Sequence, residues 1–199
     1  MESKDNAIES GQGSTYVYKI VLIGDGAVGK TNLRRRYMGE QFQSEYLNTV
    51  GADFAYFSEQ VNNDVFKYSI WDLAGQPKFN NVRPVFYAGA FGALLCFDPT
   101  RPETFQNLDM WVNELVRHTH TEGTPIVLVA TKMDIYDPSQ GHMAFEPVDD
   151  YISKLKERFN NRFDINFIKT SAISGMNVRD AFTMLRISIE KWISEISDN

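Results

Sequence analysis

Eight consecutive residues, Gly24-Asp25-Gly26-Ala27-Val28-Gly29-Lys30-Thr31, restrict what this chain can fold into more than any other stretch of it. They follow a mostly apolar run, Tyr16 to Ile23, that reads as a strand, and they lead into a helical pattern from about Gly29 to Met38. A strand, a glycine-rich loop and a helix at this spacing wrap phosphate. Glycine lets the backbone curl until several N–H groups face one anion. The helix offers its positive N-terminus to the same anion. Lys30 is placed to reach the outer phosphates, Thr31 to offer a hydroxyl to Mg²⁺, and Asn32 falls next in line beside the nucleotide. Gly24, Gly26 and Gly29 also fit a dinucleotide fingerprint, and a bare glycine-rich turn is a third reading. Neither of those explains Lys30 and Thr31.

Around this loop the pattern alternates. Strands are expected at 51–61 and 66–73, joined by the turn residues Asn62-Asn63-Asp64, and at 90–97, 125–130 and 165–168. Thr100-Arg101-Pro102-Glu103 reads as a capping box opening a helix to about Arg117. Another helix fits Val148–Phe159, with Asp149-Asp150 serving its N-terminus. Val178, Phe182, Leu185, Ile189, Trp192 and Ile196 make one apolar stripe on the last helix. The expected fold is α/β: six strands, mostly parallel, one antiparallel from the hairpin, with helices on both faces. Ligands then sit beyond the carboxyl ends of the strands.

The 199 residues suit one domain, 16–199, behind a polar arm, 1–15, expected to be disordered. A net charge of −6 lacks the basic footprint of a nucleic-acid binder. The lone Cys96 sits in an apolar run and reads as core, which suits a reducing cytoplasm. No signal segment, membrane span, N-terminal myristoylation Gly or C-terminal prenylation Cys is present, so no stable direct membrane anchor is expected. Arg34-Arg35-Arg36 reads as a solvated helix face, and His118 and His120 as cations at a helix end rather than metal ligands.

Trp71-Asp72-Leu73-Ala74-Gly75-Gln76 follows the third strand. A strand-end carboxylate beside a phosphate loop can hold Mg²⁺ through a water, and Gln76 has the donor and acceptor needed to orient an attacking water. Read together with the phosphate loop, these residues resemble the small GTPases of the Ras superfamily, over about Tyr16 to Ile196. Tyr46-Leu47-Asn48-Thr49-Val50-Gly51-Ala52-Asp53-Phe54 resembles the first switch of the Rab branch. The resemblance implies that Thr49 ligates Mg²⁺ and senses the γ-phosphate through its N–H. It also implies that Phe42 meets guanine edge-on and Tyr46 folds over the phosphates.

Thr131-Lys132-Met133-Asp134 ends the fifth strand. The carboxylate of Asp134 can accept from guanine N1–H and N2–H₂, donors that adenine lacks, and the Lys132 stem can lie across the base. The superfamily commonly has Asn where Thr131 stands, and Lys at Ile173 within Thr170-Ser171-Ala172-Ile173. Both departures resemble the Rho branch, and Ala172 still offers a backbone N–H to the guanine carbonyl. The segment from Asp134 to Ser171, somewhat longer than the superfamily minimum, reads as carrying a variable loop, with an insert for a partner as the alternative.

The implied function is a Mg²⁺-dependent, GTP-hydrolysing signalling switch in a Rab-like vesicle-traffic setting. Lys30, Gln76, Thr49 and Gly26 form its catalytic centre and Thr31, Thr49 and Asp72 its metal site. No Arg stands in an obvious in-chain finger position, so slow turnover, accelerated by a partner's Arg, is expected. Activating, exchange and effector proteins would meet a monomeric chain through residues near 42–54 and 74–87, with recruitment to membranes through partners. A GTP-locked binding module and a P-loop ATPase or kinase stand as alternatives.

Overall fold

The strand order of the sheet is what gathers the motifs. In the computed structural model, which describes residues 13–40, 49–119, 123–162 and 164–197, six strands form one sheet. They are β1 (Thr15–Ile23), β2 (Ala52–Val61), β3 (Asp64–Leu73), β4 (Gly92–Phe97), β5 (Ile126–Ala130) and β6 (Ile165–Lys169). Their order is β2-β3-β1-β4-β5-β6, with only β2 antiparallel to its neighbour. The expected fold class is the observed one. The hairpin closes at Asn62, whose φ of 55° is tolerable for Asn.

The chain leaves β1 and runs to β3 on one side and to β4 on the other, so the crevice at the end of β1 lies at the point where strand order reverses. Register pairs Leu22 with both Asp72 and Leu94, Phe97 with Ala130, and Ala130 with Lys169. The loops after β1, β3, β4, β5 and β6 therefore open at one edge.

Five helices cover the two faces: α1 (Lys30–Tyr37), α2 (Glu103–Gln106), α3 (Leu108–Thr119), α4 (Glu146–Arg158) and α5 (Val178–Ser197). Alternation along β1 splits the core. Val21 and Ile23 face Trp111, Leu115 and Leu155, whereas Ile20 and Leu22 face Leu33, Phe182 and Leu185. Each burial of such a side chain stabilises by about 1.5–3 kcal/mol. Cys96 lies in the second layer, and burial pushes its thiol up to about 12.

Four expectations are corrected. The helix expected from Thr100 is two helices broken at Asn107, and the expected cap is absent: Thr100 gives its N–H and Oγ1 to Asp98 Oδ1 instead. β1 takes in Thr15, and Ser14 already donates to Asp64 Oδ1 at 2.7 Å, so residues 13–15 belong to the folded part. Arg34 is buried and paired with Asp53 Oδ2 at 2.7 Å rather than solvated. The stripe on α5 ends near Ile189, since Ile196 is 55% exposed. His118 lies in the last turn of α3, as expected, while His120 and residues 1–12 fall outside the described residues.

Candidate active site

The loop after β1 depends on close backbone approaches. Gly24 adopts φ 133°, and a Cβ there would lie 2.1 Å from the Cys96 carbonyl oxygen. Ala27 takes φ 62° and Gly29 φ 103°, left-handed turns that aim backbone N–H groups inward ahead of α1. Lys30 is buried, and its Nζ donates to the Gly24 and Asp25 carbonyls at 2.6 and 2.7 Å. Burial lowers the Lys30 ammonium below its ordinary value against the opposing charge of Asp72.

Thr31, Thr49 and Asp72 converge beside it. Thr31 Oγ1 donates to Asp72 Oδ2, stands 3.3 Å from Thr49 Oγ1, and Thr49 Oγ1 donates to Asp72 Oδ2 at 3.4 Å. Asp72 is fully buried, and its Oδ1 has no hydrogen-bond partner among the described residues. Burial raises its carboxyl above the ordinary range, while Lys30 and Thr31 act the other way. Two hydroxyls and a carboxylate with an orphaned oxygen are hard donors of the kind Mg²⁺ takes, so the residues present fit that ion.

Gly75 presses onto the phosphate loop: a Cβ would lie 2.3 Å from Asp25 C and 2.4 Å from Gly26 N. The residue is glycine for close approach as well as for pivoting. Gln76 is extended, with φ −84° and ψ 139°, the conformation favoured before a proline, and Pro77 opens a short 3₁₀ turn to Phe79.

On the other side of the loop, Gly29, Asn32, Lys132, Asp134, Ala172 and Ile173 line a cavity of about 130 Å³. Its walls are largely apolar, which suits a flat ring. Asp134 Oδ1 accepts from Ser171 Oγ at 2.5 Å, which aims the carboxylate. Thr131 Oγ1 donates to the Val28 carbonyl at 2.5 Å and the Phe97 carbonyl at 2.9 Å, so the side chain that departs from the superfamily pattern still ties the base loop to the phosphate loop. Ile173 is 53% exposed, so an apolar residue is tolerated there at the cavity rim. Phe42 and Tyr46 lie outside the described residues.

Sequence reasoning missed the residues that brace these loops. Asp98, fully buried at the end of β4, pairs with Lys132 Nζ at 2.6 Å. Burial opposes its ionisation, but hydrogen bonds from Lys132 and Thr100 outweigh this and hold the carboxyl below its ordinary value. Arg101 Nη2 donates to the Gly26 carbonyl at 2.9 Å, so an Arg of this chain braces the phosphate loop. Asn107 and Trp111 both donate to Asp25 at 2.7 Å. Arg83 is buried under Gly75: it donates to the Ala74 carbonyl at 2.9 Å and to both Glu114 oxygens at 2.7 Å, and lies 4.3 Å from the Trp111 ring. A strand-end position was the available signal for Asp98; Arg83 carried none, because loop charges ordinarily face solvent.

The sequence matches the Ras family model over residues 19–191. It is 37% identical over 180 residues to the Ras-related protein RABA1b of Arabidopsis thaliana, covering 90% of this chain and 78% of that protein. Against the Ras-related protein RIC2 of Oryza sativa subsp. japonica the figures are 37% over 182 residues, 92% and 79%. Against the Ras-related protein Rab11B of Nicotiana tabacum they are 37% over 176 residues, 88% and 76%.

Proposed function

The chain belongs to the Ras family as a Rab-like, guanine-nucleotide-binding small GTPase, and from that premise we propose a Mg²⁺-dependent switch that hydrolyses GTP slowly to GDP and phosphate. The observation that carries this reading is the meeting of the Thr31, Thr49 and Asp72 oxygens beside buried Lys30 and against Gly75. Mg²⁺, when bound, would supply positive charge that stabilises the phosphate oxygens. Thr31, Thr49 and Asp72 would hold it. Lys30 exchanges its loop carbonyls for phosphate oxygens. Gln76 and the Thr49 carbonyl orient the water, and Gly26 leaves room for the transition state. Gly75 N–H and Thr49 N–H bond the γ-phosphate, and its loss releases both loops.

Asp134, Ala172 and the Lys132 stem select guanine. Activating, exchange and effector proteins engage residues near 42–54 and 74–87. A row of aromatic rings supports this: Phe54, half exposed, stacks on Trp71 at 5.1 Å, and Trp71 lies 5.5 Å from Phe86. Exposed Val82 and Val85 extend the apolar patch. Among the described residues no helix is long and apolar enough to cross a membrane. Recruitment to membranes through partners, in vesicle traffic, belongs to the same proposal.

Single-turnover hydrolysis tests the reading. Gln76→Leu is expected to slow phosphate release while GTP stays bound, and undiminished release would remove Gln76 from its role. A wild-type chain that holds GTP and releases no phosphate even with a cell extract would be a GTP-locked module instead. Copurified ATP would overturn the base assignment.

A further inference from the structure

We propose that Arg101 is an in-chain positioning residue for GTP hydrolysis, acting through the peptide between Gly26 and Ala27. The inference rests on the GTPase reading above and concerns the phosphate loop it invokes. Arg101 Nη2 donates to the Gly26 carbonyl at 2.9 Å across 75 residues of chain. The described backbone contains no cis peptide. In a trans peptide the C=O and N–H point to opposite sides. With the Gly26 oxygen turned out toward Arg101, the Ala27 N–H is turned the other way, into the concave side of the loop. The left-handed φ of 62° at Ala27 belongs to the same turn.

The donor is a cation, so the bond does more than hold direction. A charge-assisted hydrogen bond to the carbonyl polarises the peptide and strengthens its N–H as a donor. Negative charge grows on the leaving oxygen as the β–γ bond breaks, and a stronger, fixed N–H there lowers the barrier. Arg101 is itself fixed: its Nε stands 3.4 Å from Asp98 Oδ2, and Asp98 is fully buried and anchored by Lys132 and Thr100. The other tethers of the loop, Asn107 and Trp111, hold the Asp25 side chain and leave this peptide untouched. Arg101 thus differs from a finger that reaches the transferred phosphoryl group, and leaves room for a partner's Arg to add to it.

The test uses the full chain loaded with nucleotide and compares wild type, Arg101→Gln and Arg101→Lys. Arg101→Gln is expected to slow single-turnover hydrolysis about tenfold, less than outright removal of an oxyanion donor. GDP affinity should change by less than about threefold, because ground-state phosphates gain less from the strengthened donor. The Ala27 amide proton resonance should move upfield, and Arg101→Lys should recover part of both rate and shift. An unchanged rate with an unmoved Ala27 amide would overturn the proposal. So would equal losses in rate and affinity with a lowered melting temperature, the signature of a scaffold residue. If Arg101→Gln does not fold, Arg101→Met, which also removes the cationic donor, carries the same readouts, and a wild-type rate with an unmoved Ala27 amide in it overturns the proposal. Absence of phosphate release from wild type would instead sink the GTPase reading, while the Ala27 shift still decides the peptide contact.

Discussion

Gly75 combines two demands in one residue. Its N–H is proposed to face the γ-phosphate, and its α-carbon touches the phosphate loop, where a methyl would meet Asp25 C at 2.3 Å and Gly24 O at 2.4 Å. Both neighbours are backbone, so neither can swing aside. Gly75→Ala is expected to push the two loops apart at about 1–3 kcal/mol, roughly a 5- to 150-fold loss of affinity. The loss should fall more on the triphosphate than on the diphosphate, because only the former needs the loops closed. Titration with fluorescent GTP and GDP analogues reads this, and equal losses for both would contradict the closure. Asp134 illustrates the same economy: one carboxylate is proposed to read the base, and Ser171 fixes its direction.

At the scale of elements, buried charges join the motifs. Arg83 links the turn after β3 to α3 through Glu114, and Trp111 of α3 continues to Asp25 in the phosphate loop. Asp98 joins the end of β4 to the base loop through Lys132. Its folded-state carboxyl lies below its ordinary value of 3.8, so the unfolded chain binds the proton more readily. Stability from Asp98 is therefore present above that value and lost as pH falls through the folded value. Asp98→Asn is expected to flatten acid unfolding below about pH 4 and to cost about 1.5–3 kcal/mol at pH 7, the worth of hydrogen bonds to a charged group. Urea unfolding across pH checks it, and a variant with the parent's acid limb would show that the carboxylate is not ionised by its partners.

For the molecule as a whole, the site carries an unsatisfied carboxylate oxygen and a buried ammonium before any ligand binds. In the proposed switch, nucleotide and metal together would complete those bonds and so link folding to loading. Chelating Mg²⁺ from the GDP-loaded chain at fixed nucleotide is expected to lower Tm by about 5–10 °C, if affinity falls about 100-fold. Nucleotide release should speed up with it. A Tm indifferent to chelation would remove Thr31, Thr49 and Asp72 from the metal set.

The phosphate-loop, Asp72-to-Gln76 and Asp134 segments could be singled out in the chain as candidates because each is a local string whose chemistry depends on spacing within a few residues. The fold class could be read too, since strands buried on both faces and helices with one apolar stripe leave distinct periods. What the string did not contain was decided by strand order. Because β4 lies beside β1, the loop after β4 arrives at the phosphate loop, and Arg101 meets Gly26 across 75 residues. Burial of Arg34 and Arg83 likewise follows from which layers close over them, since a charge enters the interior only where folding brings a partner to neutralise it.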